Sequence, residues 1–289
     1  MTTFSPLIAG CWRMSEWAWS ASERLAWIEA CIDRGVTSFD HADIYGGYAV
    51  EALFGEALAL KPGLRGQLQL ISKCGIKLVH PARPGHRVHS YDGSREHIVA
   101  SAENSLRALQ TDHLDLLMLH RPDALLDADE VAEAFAALKA AGKVLSFGVS
   151  NYSPAQFDLL NARTPLVTNQ VELNPLNLGV LNDGTLDQAQ RLKLQPMIWS
   201  PLAGGRLFSD PGEQAQRVRQ ALQNAADGRG VSLATAAHAW VLRHPSRPIP
   251  IVGSKRLAAM DEALAALDWR MDAETWWTVW IANTGHAVP

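Results

Sequence analysis

Short runs of consecutive apolar residues recur along the chain, each closed by a polar or glycine-bearing end and followed by a segment of helical period. The runs fall at residues 7–10, 36–39, 68–72, 114–119, 144–149, 167–171, 196–198 and 249–252, eight in all. Between them, segments such as 23–33, 95–109 and 129–141 place apolar residues three and four apart, the spacing of one helix face. Runs that are apolar throughout, rather than alternating, predict strands covered on both faces, which is the pattern of a parallel sheet under helices. Eight such units predict closure into a (β/α)8 TIM barrel in one domain spanning residues 1–289. A doubly wound sheet would want Gly-x-Gly-x-x-Gly after the first strand, and the chain has none there.

Two stretches interrupt the period. Residues 80–94, HPARPGHRVHSYDGS, hold too much proline, glycine and histidine for a helix and read as a loop on the same face as Lys73. Residues 204–229 read as a loop with an extra helix before the eighth strand. Long loops in compact folds are usually lids or binding loops. In a barrel of this kind the site is built from long βα loops at the C-terminal face.

Composition narrows the function classes. A formal net charge of −4 and the lack of a long basic run argue against nucleic acid as a partner. No apolar stretch reaches ~18 residues, so no membrane span is expected. The start, MTTFSPLIAGCWR, lacks the basic and apolar regions of a signal peptide. Cys11, Cys31 and Cys74 are odd in number and never form a CxxC pair, which fits a reducing cytoplasm.

The candidate chemistry sits where apolar runs end. Asp40 closes the second run, and Tyr45 follows it by five positions in FDHADIYGG. Lys73 ends the next run, and His120 ends the one after that. Each has a bland reading as a helix cap, a packing ring or a solvated amine. Three successive strand ends carrying Asp with Tyr, then Lys, then His make coincidence a poor account. The set suits carbonyl reduction, in which hydride reaches carbon while oxygen takes a proton. A tyrosine can give that proton, yet its ordinary pKa near ~10 makes it sluggish at neutral pH. A lysine ammonium at ~4 Å favours the phenolate by about 4 kcal/mol at an effective dielectric of ~20, or at most roughly three pKa units. Asp40 would keep that lysine charged, and His120 would orient and polarise the substrate oxygen.

Over essentially its whole length the chain resembles the aldo-keto reductases, through FDHADIYGG, LISK, LLMLHRP, SNYSPAQF, NQVELNPL, WSPLAGG and IVGSKR. It is most similar to a bacterial branch of NADPH-dependent oxidoreductases that share the Trp12-Arg13-Met14 start and the Val288-Pro289 end. The resemblance implies NADP(H) as cofactor, an aldehyde or ketone as substrate, and Asp40, Tyr45, Lys73 and His120 as the catalytic set. It implies that Ser150, Asn151 and Gln170 clamp a carboxamide, although Ser-Asn-Tyr-Ser-Pro would also cap a helix starting near Pro154. Trp199 would stack on a nicotinamide ring, with Ser200 and Leu202 beside it; alone, a Trp there is more often core. Gly204 and Arg206 would meet a pyrophosphate. Gly253, Ser254, Lys255 and Arg256 would open a helix running through Ala266, whose N-terminus favours phosphate. Gly10, Cys11, Trp12 and Glu262 complete the implied cofactor set.

The family's usual arginine in that last helix aligns with Ala259, and its usual asparagine with Ala263. Recognition of an adenosine 2′-phosphate therefore rests on Ser254, Lys255 and Arg256. Trp12, Trp17, Trp19, Tyr91 and residues 283–289 are expected to shape the pocket mouth and favour an apolar or aromatic carbonyl. Two rivals remain. A metal-dependent hydrolase would draw its ligands from His41, Asp43, His120 and His238, but neither His-x-His on the first strand nor His-Glu-x-x-His is present, so no metal is expected. A non-catalytic NADPH-binding regulatory protein is the other, yet such relatives characteristically replace the histidine at His120. A monomer or small homo-oligomer is expected.

Overall fold

A computed structural model describes residues 4–288; Pro289, expected at the pocket mouth, lies outside them. The strands are β1 (Ile8–Gly10), β2 (Ser38–Asp40), β3 (Gln69–Cys74), β4 (Ile76–Lys77), β5 (Ser90–Tyr91), β6 (Leu116–Leu119), β7 (Phe147–Ser150), β8 (Asn169–Glu172), β9 (Met197–Trp199) and β10 (Ile249–Val252). Eight of them form a closed barrel in the order β1-β10-β9-β8-β7-β6-β3-β2, and every pairing with a defined register is parallel. The expected (β/α)8 architecture is thus the observed one.

Most strands lie one or two residues later than the apolar runs that predict them. The reason is pairing: the polar residue closing a run stays in the hydrogen-bonded ladder. Asp40 is in register with Gly10 and Ile71, Lys73 with Met118, and Ser150 with Gln170. These side chains are therefore fixed by sheet geometry rather than by loops.

Contact clustering divides the chain into two compact units. One runs up to Gln170 and includes Gly253–Lys255; the other comprises Val171–Val252 and continues from Arg256. In the first, period-two alternation along β2 sends Phe39 to one face and Asp40 to the other. Phe39 meets Trp27 of helix Ala21–Ile32 at 5.9 Å and Phe54 of helix Val50–Ala59 at 5.3 Å. Trp17 continues the same aromatic row, 5.0 Å from Trp27 and 4.9 Å from Trp19. Trp17 is buried, so it serves the core rather than the pocket mouth expected of it, whereas Trp12 and Tyr91 are exposed. Helix starts follow capping rules: Ser20 with Glu23, and Ser153 with Gln156 ahead of Pro154, form reciprocal capping boxes.

The second unit is packed around Ile198, Leu222, Trp240 and Val279. Trp240 and Trp276 stack in parallel at 5.0 Å, and each indole N–H donates to the other's backbone carbonyl at 3.1 Å. Asn283, expected in a pocket-mouth tail, is in helix Ala273–Thr284 and donates to the Pro175 carbonyl.

Both interruptions of the period have structure. Residues 76–91 carry a two-stranded antiparallel ribbon, β4 with β5, closed by the Lys77–Asp92 ion pair at 3.0 Å. Residues 206–229 hold a short helix, Arg206–Ser209, and a long one, Glu213–Arg229. The helix expected to open at Gly253 instead begins at Leu257, with Arg256 as its N-cap. Residues 253–255 stay outside it because the extended backbone of Arg256, φ −80° and ψ 119°, breaks the run of helical dihedrals. No helix among the described residues is long and apolar enough to cross a membrane.

One glycine sets a helix–helix distance. A Cβ at Gly55, inside helix Val50–Ala59, would stand 2.1 Å from the carbonyl oxygen of Ala108 in helix Arg95–Leu109. Backbone cannot yield as a side-chain tip can. Gly55→Ala is expected to lower unfolding stability by about 1–3 kcal/mol, although alanine is the better helix former. Urea denaturation checks this, and an unchanged or raised midpoint would contradict it.

Candidate active site

Lys73 is the centre of a compact polar cluster in the first unit. Its side chain is completely buried, and an isolated ammonium there would be very costly. It is not isolated. Nζ lies 2.8 Å from both carboxylate oxygens of Asp40, 2.8 Å from the carbonyl oxygen of His41 and 3.0 Å from the phenol oxygen of Tyr45. Asp40 is itself buried, and its Oδ1 also accepts a 2.8 Å hydrogen bond from Gln170 Nε2. Burial pulls the lysine toward neutrality, but Asp40 and Tyr45 outweigh it and hold the ammonium above its ordinary pKa.

Tyr45 begins the turn after β2. Its ring lies edge-on to His120 at 5.7 Å, and Lys73 Nζ is 4.8 Å from its centre. The balance at its hydroxyl is the reverse of the expectation from charge alone. Burial raises the phenol pKa, and the downward pull of Lys73 does not overcome it. The hydroxyl therefore keeps its proton through neutral pH. His120 is pushed well below its usual value by burial and by the charges of Lys73 and Arg121, so it is a neutral imidazole. Its Nδ1 is buried without a hydrogen-bond partner. The cluster thus combines one held cation, one carboxylate, a protonated phenol and a neutral imidazole.

The structure places the remaining expected residues as follows. Gly10 and Cys11 are buried at the end of β1, and the Cys11 N–H donates to the Asp40 carbonyl at 3.0 Å; Trp12 is exposed under Arg13. Ser150 Oγ donates to the Gln170 carbonyl and accepts from Asn151 Nδ2 at 2.7 Å. Asn151 is held in the left-handed region, φ 61°, while its N–H still donates to the Gln170 carbonyl at 2.9 Å. Ser150, Asn151 and Gln170 therefore form one connected group, and Gln170 links it to Asp40.

In the second unit, Trp199 ends β9 and Ser200 follows with φ 50°, its carbonyl accepting from buried Asn174 Nδ2 at 3.0 Å. Leu202 is half-buried and Arg206 exposed. Gly204 and Gly205 both have positive φ, and an added Cβ at either would meet nothing within 4 Å, so this backbone is open to close approach. Gly253, Lys255 and Arg256 are exposed, Ser254 and Glu262 partly so. Ala259 and Ala263 are buried in helix Leu257–Ala265, where small side chains pack. Among the described residues no three His, Cys, Asp or Glu side chains are placed to hold a metal ion. Residue-by-residue reading missed two partners of the central cluster: the His41 carbonyl, which no side-chain pattern marks, and Gln170 as a donor to Asp40, 130 positions away in sequence.

Comparison with known proteins gives the family. Residues 6–282 match the model of the aldo/keto reductase family. The chain is 48% identical to the uncharacterized oxidoreductase YcsN of Bacillus subtilis, over 99% of this chain and 96% of that protein. It is 41% identical to a 6-dehydroglucose reductase of Agrobacterium fabrum, over 98% of this chain and 96% of that protein. The solved glycerol dehydrogenase AKR11B4 of Gluconobacter oxydans superposes with a TM-score of 0.85 at 24% identity, covering 99% and 93% of the two chains, a likeness of fold.

The buried ion pair yields a stability test. Lys73→Met removes the cation and leaves Asp40 buried, so it is expected to cost about 3–5 kcal/mol. Adding Asp40→Asn removes the stranded charge, and the double variant should recover part of that loss. Urea titrations of the three variants measure it; a double variant as unstable as the sum of the two singles would contradict the pairing.

Proposed function

Because the chain belongs to the aldo/keto reductase family, we propose that it reduces an aldehyde or ketone to an alcohol with NADPH, Tyr45 giving the proton. The observation that carries this reading is the Tyr45 hydroxyl 3.0 Å from the buried Lys73 Nζ, in a setting whose burial raises the phenol pKa. Family membership supports a carbonyl-reducing oxidoreductase; the residue roles and the choice of NADPH are inferred from the geometry.

Each unit carries groups of the kind that hold a nicotinamide cofactor. Ser150, Asn151 and Gln170 offer a joined set of hydroxyl and amide groups suited to a carboxamide. Gly204 and Gly205 leave backbone that a pyrophosphate could approach, and Trp199 offers a flat face. When bound, the cofactor supplies hydride to the carbonyl carbon. The chain's own residues manage the other half of the reaction. Tyr45 passes its proton to the carbonyl oxygen as negative charge develops there. Lys73 then faces a phenolate rather than a phenol, and its attraction strengthens as the transfer proceeds. Asp40 and the His41 carbonyl keep Lys73 charged and aimed. Neutral His120 can donate to the substrate oxygen without competing for the role of cation. A regulatory, non-catalytic reading would leave this cluster without a task.

The same reading places the enzyme in the cytoplasm, where its three buried free thiols would stay reduced. Substrates to test include aromatic aldehydes and, on the strength of the relative that reduces it, 6-dehydroglucose. NADPH absorbance across such a panel tests the activity; no turnover of any carbonyl would overturn it.

Tyr45→Phe is expected to lower kcat by at least about 100-fold while NADPH still binds, since one hydroxyl is lost and the ring remains. The pH profile carries the same signature. Tyr45 has a raised pKa, so the donor form persists through neutral pH and is lost only as pH rises beyond the ordinary tyrosine range. His120 is depressed, so it is neutral above its lowered pKa and adds no step near 6.5. The reductive rate should therefore be flat from pH 6 to 8. A break near pH 6.5, or wild-type kcat in the variant, would contradict the assignment.

Lys255 and Arg256 are expected to favour NADPH over NADH by meeting a 2′-phosphate. With Ala259 in place of a deeper arginine, that preference should be modest. Replacing both with Ala should raise the NADPH KM about tenfold and leave the NADH KM within a factor of two. Equal KM values for the two cofactors in the unmodified protein would contradict the assignment.

A further inference from the structure

Tyr48 has no place in the chemistry above, yet the loop that follows Lys73 is packed around its ring. Gly46, Gly47 and Tyr48 are three consecutive left-handed residues, with φ 58°, 65° and 72°. Glycine adopts that region freely; an aromatic residue does so under strain, and keeps it only where the surroundings over-determine it. Here they do. The Tyr48 hydroxyl accepts a 2.9 Å hydrogen bond from the Leu78 N–H. The Arg83 guanidinium lies 4.5 Å above the ring, and the rings of His80 and His86 approach it at 5.8 and 6.4 Å. Beside it, the space a Cβ on Gly47 would need is filled by His80, with Nε2 only 2.6 Å away.

All four partners belong to the segment between β3 and helix Arg95–Leu109, the loop that follows Lys73. Its base is held by the two-residue ribbon of β4 and β5 and by Lys77–Asp92. Within it, His86 Nδ1 pairs with the Leu78 carbonyl, and His80 bridges to Arg83. Tyr48 joins this prefolded loop to the turn that carries Tyr45. The turn is one hydrogen-bonded unit: the Tyr48 N–H donates to the Ile44 carbonyl, and the Ala49 N–H donates to the Tyr45 carbonyl.

We propose that Tyr48 is a positioning residue that pins the loop of residues 75–93 onto the Tyr45 turn and thereby holds the Tyr45 hydroxyl on Lys73. The inference rests on reading Tyr45 as the proton donor. The physical link is the backbone. With its ring released, Tyr48 can leave the left-handed region, the turn rotates, and Tyr45 moves relative to the strand-fixed Lys73. Gly46 and Gly47 make that rotation easy, since neither has a side chain that resists it.

Two variants test the proposal, read by hydrogen exchange, by NADPH binding, and by turnover of an aromatic aldehyde such as 4-nitrobenzaldehyde. Tyr48→Phe keeps the ring and loses only the bond to Leu78; exchange of the Leu78 amide should rise about tenfold. Tyr48→Ala loses the ring; exchange should rise across residues 78–87, and kcat should fall at least tenfold while the dissociation constant for NADPH stays within a factor of two. A merely structural role would weaken stability and binding together instead of producing that split. Unchanged exchange at Leu78 in Tyr48→Phe overturns the proposal even if Tyr48→Ala fails to fold. A loosened loop with wild-type kcat overturns it as well. If Tyr45→Phe kept full turnover, the reading of Tyr45 would fail separately, because loop exchange is measured without catalysis.

Discussion

The structure depends on keeping one ammonium charged where water cannot reach it. Lys73 is completely buried, and its charge survives only because three oxygens lie within 2.8 Å, two of them on Asp40 and one on the His41 backbone. That requirement explains much of the local architecture. Asp40 must be inside the barrel, so β2 extends one polar residue past its apolar run. The Asp40 carboxylate needs its own support, which comes from Gln170. The Tyr45 phenol completes the set as a neutral neighbour that becomes the natural receiver of the same charge once its proton has gone.

Burial also bears on which protons the cluster holds. A charge-only argument places a cation beside a phenol and concludes that the phenol is acidified. In the folded protein the desolvation of a buried phenolate is the larger effect, and the proton is held more tightly than in water. The same desolvation keeps His120 neutral. On the proposed reading, a held proton suits transfer to a carbonyl oxygen that becomes basic as hydride arrives.

The barrel was legible because the apolar runs end in residues that sheet pairing retains, so Asp40 and Lys73 could be placed near strand ends from spacing. Asp40, Lys73 and His120 were legible for the same reason, and Tyr45 by its distance of five positions from Asp40. What sequence could not supply was anything set by three-dimensional packing. The Gln170 bond to Asp40 spans 130 positions, and the His41 contribution is a carbonyl present in every residue. The ribbon of β4 and β5 hides in a segment rich in proline and histidine because it pairs only two residues a side. Trp17 was misplaced at a pocket mouth because an indole near a strand end reads alike whether it faces solvent or Trp27. The start of helix Leu257–Ala265 was misjudged because Gly253 and Ser254 resemble a cap, whereas the cap position falls on Arg256.

The central claim is that Lys73 stays an ammonium throughout the working range of pH, held by Asp40, with Tyr45 protonated beside it. The most direct measurement is a pH titration of the Lys73 Nζ by 15N NMR in selectively labelled protein. The account predicts the chemical shift of a charged amine, unchanged from pH 6 to beyond the ordinary lysine range. A Lys73 that loses its proton near neutral pH would contradict it, because neither the buried Asp40 pair nor the proposed proton transfer from Tyr45 would then have a cation to work with.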